Sequence, residues 1–308
     1  GSGTLLMNIA HQIGNDRCSI YSQDISQKSS SLLRLNLILN NLVHSIHNII
    51  QGNTLLEPAH KNKDRKIQTF DYVVSNPPFK LDFSDFRDDL DSKENAERFF
   101  AGIPKIPPKK KESMAIYLVF LQHVIFSLKP EGKAAIVVPT GFITARTGIE
   151  KKIREKLIEN KMLAGVISMP SNIFATTGTN VSVLFIDKTN KEKVILIDAS
   201  DLGEKIKEEK NQKTVLRVDE IEKITKTFTH KEEIDEFSVL VSYEEIKEKN
   251  FSLSAGQHFN FKVDYEDITK KEFDERISNS LKALNEMSNK SMKLNEDIQS
   301  ILRRIKYD

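Results

Sequence analysis

Phe70-Asp71-Tyr72-Val73-Val74 is an apolar run, and two residues later it is stopped by Asn76-Pro77-Pro78-Phe79. Proline can neither donate to a ladder nor continue a strand, so the pattern requires a buried strand that ends abruptly. The stop therefore stands at the carboxyl edge of a sheet, which in open α/β sheets is where ligands bind. Read alone, the same four residues also make an ordinary strand-terminating turn, which Asn and Pro favour for backbone reasons.

A chemical reading competes with that plain one. The exocyclic amine of adenine is a weak nucleophile because its lone pair is delocalised into the ring, and it must pyramidalise before it attacks. Two acceptors on one side of the amine achieve this: the Asn76 side-chain oxygen and the Pro77 carbonyl, each taking one N–H. Pro77 and Pro78 fix φ and preorganise the acceptors. Phe79 is then positioned to stack on a base, an interaction of ~1–3 kcal/mol.

The flanking segments alternate between β and α periodicities. Gly1-Ser2-Gly3-Thr4-Leu5-Leu6 is a glycine-rich turn entering a helix that ends near Gly14, an arrangement that brings backbone amides close to a nucleotide-like ligand. Gly-Ser-Gly is also a frequent cloning remnant, although Thr4-Leu5-Leu6 continues the motif. Cys18 to Asp24 reads as a strand ending in an acid suited to ribose hydroxyls. A Ser-rich start at 29–31 opens a helix in which Leu32, Leu35, Leu39 and Leu42 recur at helical spacing, and Asn48 to Leu55 is a further strand. These αβ units are expected in one parallel sheet whose first strand, before the glycine turn, is lacking.

Downstream, a helix striped by Tyr117, Leu121, Val124 and Leu128 closes at Pro130-Glu131-Gly132, and Ala134 to Val138 is a strand. Strands at 164–169 and 181–186, joined by a loop and no helix, predict an antiparallel hairpin. Between Phe79 and Ser113 lies a long stretch of little periodicity, first acidic and then rich in Pro and Lys through Pro107-Pro108-Lys109-Lys110-Lys111. It reads either as a lid or DNA-facing element whose lysines neutralise phosphates, or as a solvated charged loop.

Length and composition bound the remainder. A chain of 308 residues buries a full α/β core, and its net charge of +2 does not mark an autonomous nucleic-acid binder. The single cysteine, Cys18, excludes an internal disulfide and suits a reducing, cytoplasmic setting. No signal peptide, membrane-length run or zinc-type spacing is evident, so no metal and no membrane are expected.

The ordered series Gly1-Ser2-Gly3, Gln23-Asp24, Gly52-Asn53-Thr54-Leu55, Asn76-Pro77-Pro78-Phe79, Arg98-Phe99, Phe120-Leu121-Gln122-His123, Val137-Val138-Pro139-Thr140-Gly141, Asn172-Ile173-Phe174 and Thr177-Gly178 resembles the modification subunit of type I restriction-modification systems. The resemblance runs from Gly1 to about Asp187 and implies a Rossmann-like sheet, mostly parallel with one antiparallel strand. It implies an S-adenosylmethionine-dependent N6-adenine DNA methyltransferase in which Gly1, Ser2 and Gly3 lie beside the cofactor's methionine, Asp24 binds its ribose and Asn53 lies near its adenine. Asn76, Pro77, Pro78 and Phe79 then hold the flipped target adenine, with Phe174 near it. The family commonly has Asp where Asn53 stands.

The expected division is a catalytic domain over 1–200 and a smaller α-rich region over 201–308. The latter ends in a long helix carrying Ile277, Leu284, Ile298 and Ile305 at one heptad position and Met287, Leu294 and Ile301 at the other. No target-recognition domain is visible. The resemblance implies double-stranded DNA as substrate, a specificity subunit docked on the C-terminal helix, and a restriction subunit in the full complex. Two other classes stay open on residues alone: a methyltransferase acting on protein glutamine or an RNA base, and a non-catalytic assembly subunit.

Overall fold

The computed structural model describes residues 1–174, 179–208, 211–259 and 268–304. Among them the chain forms two compact units, Gly1–Phe259 and Asn260–Asp308.

The first unit opens with helix α1 (Thr4–Ile13), strand β1 (Ser22–Asp24), helix α2 (Gln27–Leu39) and strand β2 (Ile49–Gln51). β1 and β2 pair in parallel and form a small sheet of their own. β3 (Phe70–Ser75) begins the central sheet, and after the short helix α3 (Arg87–Leu90) come α4 (Tyr117–Phe126) and the long strand β4 (Leu128–Pro139). Helices α5 (Gly141–Thr144) and α6 (Gly148–Glu159) lead to strands β5 (Leu163–Ser168), β6 (Val181–Asp187) and β7 (Val194–Asp198). A hairpin of β8 (Glu204–Glu208) and β9 (Asn211–Val215), helix α7 (Val218–His230), edge strand β10 (Ser238–Val241) and helix α8 (Tyr243–Glu248) complete the unit.

The central sheet has the order β10-β7-β5-β6-β4-β3. β3 and β4 pair in parallel, as do β5 and β7, while β6 runs against both β4 and β5, which is the expected hairpin strand. β10 also runs antiparallel, at the edge, so two strands rather than one oppose the main direction. The largest apolar cluster lies against this sheet, with Leu121 of α4, Ile136 of β4, Leu157 of α6, Leu163 of β5 and Leu184 of β6 all fully buried.

The single sheet expected from the αβ alternation is divided. Between β1 and β3 there is a cavity of about 660 Å³, lined by Ser22 and Gln23 on one side and Asp71 to Ser75 on the other. Among the described residues no strand bridges the two edges. β3 therefore stays half-exposed, with Tyr72 at 56% of its full exposure, although its composition suits a buried strand.

Other elements depart from the periodic reading. On α2 the buried residues are Ser30, Leu33 and Leu37, whereas Leu32, Leu35 and Leu39 face solvent; Leu33 and Leu37 pack with Met7, Ala10, Ile20 and Ile49. Pro130-Glu131-Gly132 ends no helix but sits inside β4, where the register with β3 shifts. The 80–113 stretch is folded: Phe83, Leu90, Phe99 and Ile103 join Leu55, Ile116 and Val119 in a second apolar cluster.

Residues 201–259 pack into the same unit as 1–200, with Tyr243, Ile246 and Leu253 in the main core. Buried Arg154 of α6 holds this junction, donating through Nε to Phe251 O at 2.8 Å and through its terminal nitrogens to Phe142 O and Ala145 O. The second unit is built on α9 (Lys270–Arg304), opened by a reciprocal cap in which Glu272 accepts from Thr269 N and Glu272 N donates to Thr269 Oγ1. Ile305 lies outside the described residues.

Candidate active site

A cleft of about 620 Å³ opens at the carboxyl ends of β1, β2 and β3, within the usual range for a small-molecule site. It brings together Gly1, Ser2, Gly3, Asp24, Asn53, Asn76, Pro77 and Pro78, which are widely separated in sequence. Phe79 is not in the lining; it is half-buried, edge-on to Tyr117 with ring centroids 6.3 Å apart, and Tyr117 is in turn edge-on to Phe142 at 6.3 Å.

Each wall has a local cause. Gly3 starts α1 with φ +85°, a conformation that favours glycine, and a Cβ there would lie 2.2 Å from Leu33 Cδ1, so a side chain would strain the turn and displace Leu33 of α2. Ser2 O accepts from Asn36 Nδ2 at 2.9 Å, which ties the loop to the same helix. No side chain caps the N-terminus of α1. At the tip of β1, Asp24 Oδ1 accepts from Ser26 N at 2.7 Å, and its other oxygen faces the Gly1 nitrogen. Burial pushes this carboxyl up and the bond from Ser26 N pulls it down.

The Asn53 turn is self-capped. Asn53 Oδ1 accepts from Leu55 N at 3.0 Å and Leu56 N at 3.4 Å. A backbone N–H can only donate, so the oxygen faces the turn and the amide NH₂ remains as a donor. β3 delivers Ser75 and Asn76 to the rim through its parallel pairing with β4, and Asn76 is exposed beside buried Pro77.

Residues 1–267 match the family model described as N-6 DNA Methylase. The chain belongs to this family. It is 32% identical to the type I restriction enzyme MpnII methylase subunit of Mycoplasma pneumoniae over 100% of this chain and 55% of that one. It is 28% identical to the MjaIX methylase subunit of Methanocaldococcus jannaschii, over 92% and 50% respectively. The crystal structure of the type I restriction-modification methyltransferase subunit from Streptococcus thermophilus superposes with a TM-score of 0.67 at 29% identity, covering 83% of this chain and 52% of that one. The chain thus spans about half the length of these relatives.

The donors and acceptors of the cleft fit the chemistry of S-adenosylmethionine. Ionised Asp24 is an acceptor for a ribose diol, glycine backbone lines the α1 end, and Leu81, Phe86, Ile116 and Phe120 supply an apolar wall. Leu81 and Phe86 were missed in the sequence because the 80–113 stretch has no helical or strand period, its recurring Phe and Leu being the available signal, while Phe120 lies on α4 within a motif of the resemblance that carried no assigned role. Phe174, expected near the target base, is described and half-buried, and the Thr177-Gly178 motif lies outside the described residues. Among the described residues no group of three His, Cys, Asp or Glu side chains could hold a metal, and no helix is long and apolar enough to cross a membrane.

Proposed function

We propose that the chain carries the catalytic domain of a site-specific DNA adenine N6-methyltransferase of the type I restriction-modification kind, using S-adenosylmethionine. The observation that carries this is the meeting of Asn76-Pro77-Pro78 with Gly1–Gly3, Asp24 and Asn53 in one cleft. When bound, the cofactor supplies an electrophilic methyl group on a sulfonium. The remaining work belongs to the chain's own residues.

Asp24, at the tip of β1, accepts from the ribose hydroxyls and fixes the cofactor's long axis. A flipped adenine enters from the DNA side, and the Asn76 side-chain oxygen and the Pro77 carbonyl each accept one N–H of its amine. The lone pair is thereby turned out of conjugation and toward the methyl group. Phe79, braced edge-on by Tyr117, holds the base plane. The methylated amine releases one proton to water, since neither acceptor is basic enough to keep it.

Base readout comes from elsewhere, because phosphate contacts and one flipped base carry little sequence information. A specificity subunit supplies it, docked on α9, whose apolar residues Ile277, Leu284, Met287, Leu294, Ile298 and Ile301 are all exposed. A restriction subunit completes the assembly.

The test is transfer of tritiated methyl groups from S-adenosylmethionine, with the protein and its specificity subunit, into adenine-containing duplex DNA, RNA and protein. Label in DNA alone is expected, with Asn76→Ala losing about two orders of magnitude or more in rate while S-adenosylhomocysteine still binds, as for removal of a key polar contact to the reacting group. Wild-type rates in Asn76→Ala, or label only in RNA or protein, would sink the proposal.

A further inference from the structure

Arg98 follows the Asn-Pro-Pro-Phe turn by about one folded segment and is 2% exposed. Its guanidinium donates from Nη1 to Leu55 O at 2.7 Å, from Nη2 to Thr54 O at 2.8 Å and from Nε to His123 Nδ1 at 3.0 Å. Because Arg can only donate, Nδ1 is the acceptor and His123 carries its proton on Nε2, which faces Thr54 Oγ1 at 3.5 Å. Among the described residues no carboxylate pairs with Arg98. A buried cation with neutral partners is expensive, and an apolar side chain would fill the same space without that cost. The two terminal nitrogens both donate to the loop whose preceding residue, Asn53, lines the cleft, while Nε is anchored on α4.

We propose that Arg98, held by His123 on α4, is a positioning residue for the cofactor: it clamps the Thr54 and Leu55 carbonyls and so sets the Asn53 turn. The inference rests on the cleft binding S-adenosylmethionine. It couples the two halves of the site, since Arg98 belongs to the segment that leaves the target-base turn and its bonds end on the turn at the cofactor side. Burial lowers the guanidinium to about 10, still charged at neutral pH, and with the Arg98 charge it brings His123 down to about 3, so the ring stays a neutral acceptor.

The test compares wild type with Arg98→Met, Arg98→Lys and His123→Gln in the protein assembled with its specificity subunit. Two measurements are made: kinetics with S-adenosylmethionine, and amide hydrogen exchange at Leu55 and Leu56, the N–H groups that Asn53 caps. Arg98→Met is expected to raise KM for S-adenosylmethionine roughly tenfold with kcat within about twofold, a uniform-binding loss. Arg98→Lys recovers part of it, His123→Gln, whose side-chain oxygen still accepts from Nε, stays within about threefold, and exchange at Leu55 and Leu56 rises in the order of the KM values. Should Arg98→Met not fold, Arg98→Lys carries the test by the same two measurements. Unchanged KM and unchanged exchange overturn the inference, and so does a fall in kcat with KM unmoved. Failure of the wild type to bind S-adenosylhomocysteine sinks the cofactor reading instead, while faster exchange in Arg98→Lys would still report the clamp.

Discussion

His123 shows how a single buried residue sets a pH limit. Its ring lies in the wall of the cavity beside β3, and desolvation, followed by the nearby Arg98 charge, moves its titration to about 3. In the unfolded chain an imidazole titrates near about 6.5. Between these values the unfolded chain binds a proton that the folded chain does not, so stability is full above about 6.5 and drains as pH falls toward 3. His60 and His258 are also lowered by burial and add the same sign. In His123→Gln, urea midpoints measured from pH 7 down to about 5 are expected to fall less steeply than in wild type, with the two residual histidine slopes left. An unchanged slope would mean that His123 takes up its proton over the same pH range in the folded and the unfolded chain. The sequence carries His123 in the Phe120-Leu121-Gln122-His123 motif; what it could not reveal was the pairing with Arg98, which lies 25 residues away and depends on how the 80–113 segment folds back.

At the scale of elements, strands were legible and faces were not. β3, β5 and β6 follow from short β-branched runs with turn signals at their ends. α2, by contrast, carries leucines at 32, 33, 35, 37 and 39, two stripes with equal claim to the core. Packing decides between them, and the 33/37 face meets α1 and β2. Pro130-Glu131-Gly132 reads as a helix stop because a bulge has the same composition: Pro tolerates the lost donor, and a Cβ on Gly132 would lie 2.9 Å from Phe70 O and from Lys129 N. Gly165 makes a sharper case. It sits in β5 with Ile195 opposite, and an added Cβ would lie 2.6 Å from both Ile195 O and Ile195 Cγ2 and 2.8 Å from Phe228 of α7. Backbone is among those atoms, so the strain cannot be relieved by one rotamer. Gly165→Ala is expected to cost about 1–3 kcal/mol and lower the thermal midpoint by several degrees, leaving cofactor affinity per folded molecule unchanged. Calorimetry with and without S-adenosylhomocysteine checks both halves, and a wild-type midpoint would show that β5 and β7 can part without cost.

Across the whole molecule, the described residues up to Phe259 belong to one compact unit. Val241 of β10 and Leu253 belong to the main core, and Arg154 ties Phe251 to α6. The compact units divide at Phe259 and Asn260. α9 is different in kind. At 35 residues it spans roughly 50 Å, and its apolar positions from Phe273 to Ile301 are about half exposed or more. A helix with that stripe gains little by itself and is stabilised chiefly by packing against a partner. If the partner is the specificity subunit, charges on the stripe should break assembly without touching chemistry. Leu284→Asp with Ile298→Asp is therefore expected to weaken association with that subunit by at least about a hundredfold in a titration followed by size-exclusion chromatography, since each buried leucine or isoleucine contributes about 1.5–3 kcal/mol. S-adenosylhomocysteine binding and the melting of the Gly1–Phe259 unit should stay at wild-type values, while site-specific methylation is lost. Association and methylation at wild-type levels would assign the subunit contact to another surface, and a parallel loss of cofactor binding would mean that the stripe packs on its own catalytic unit.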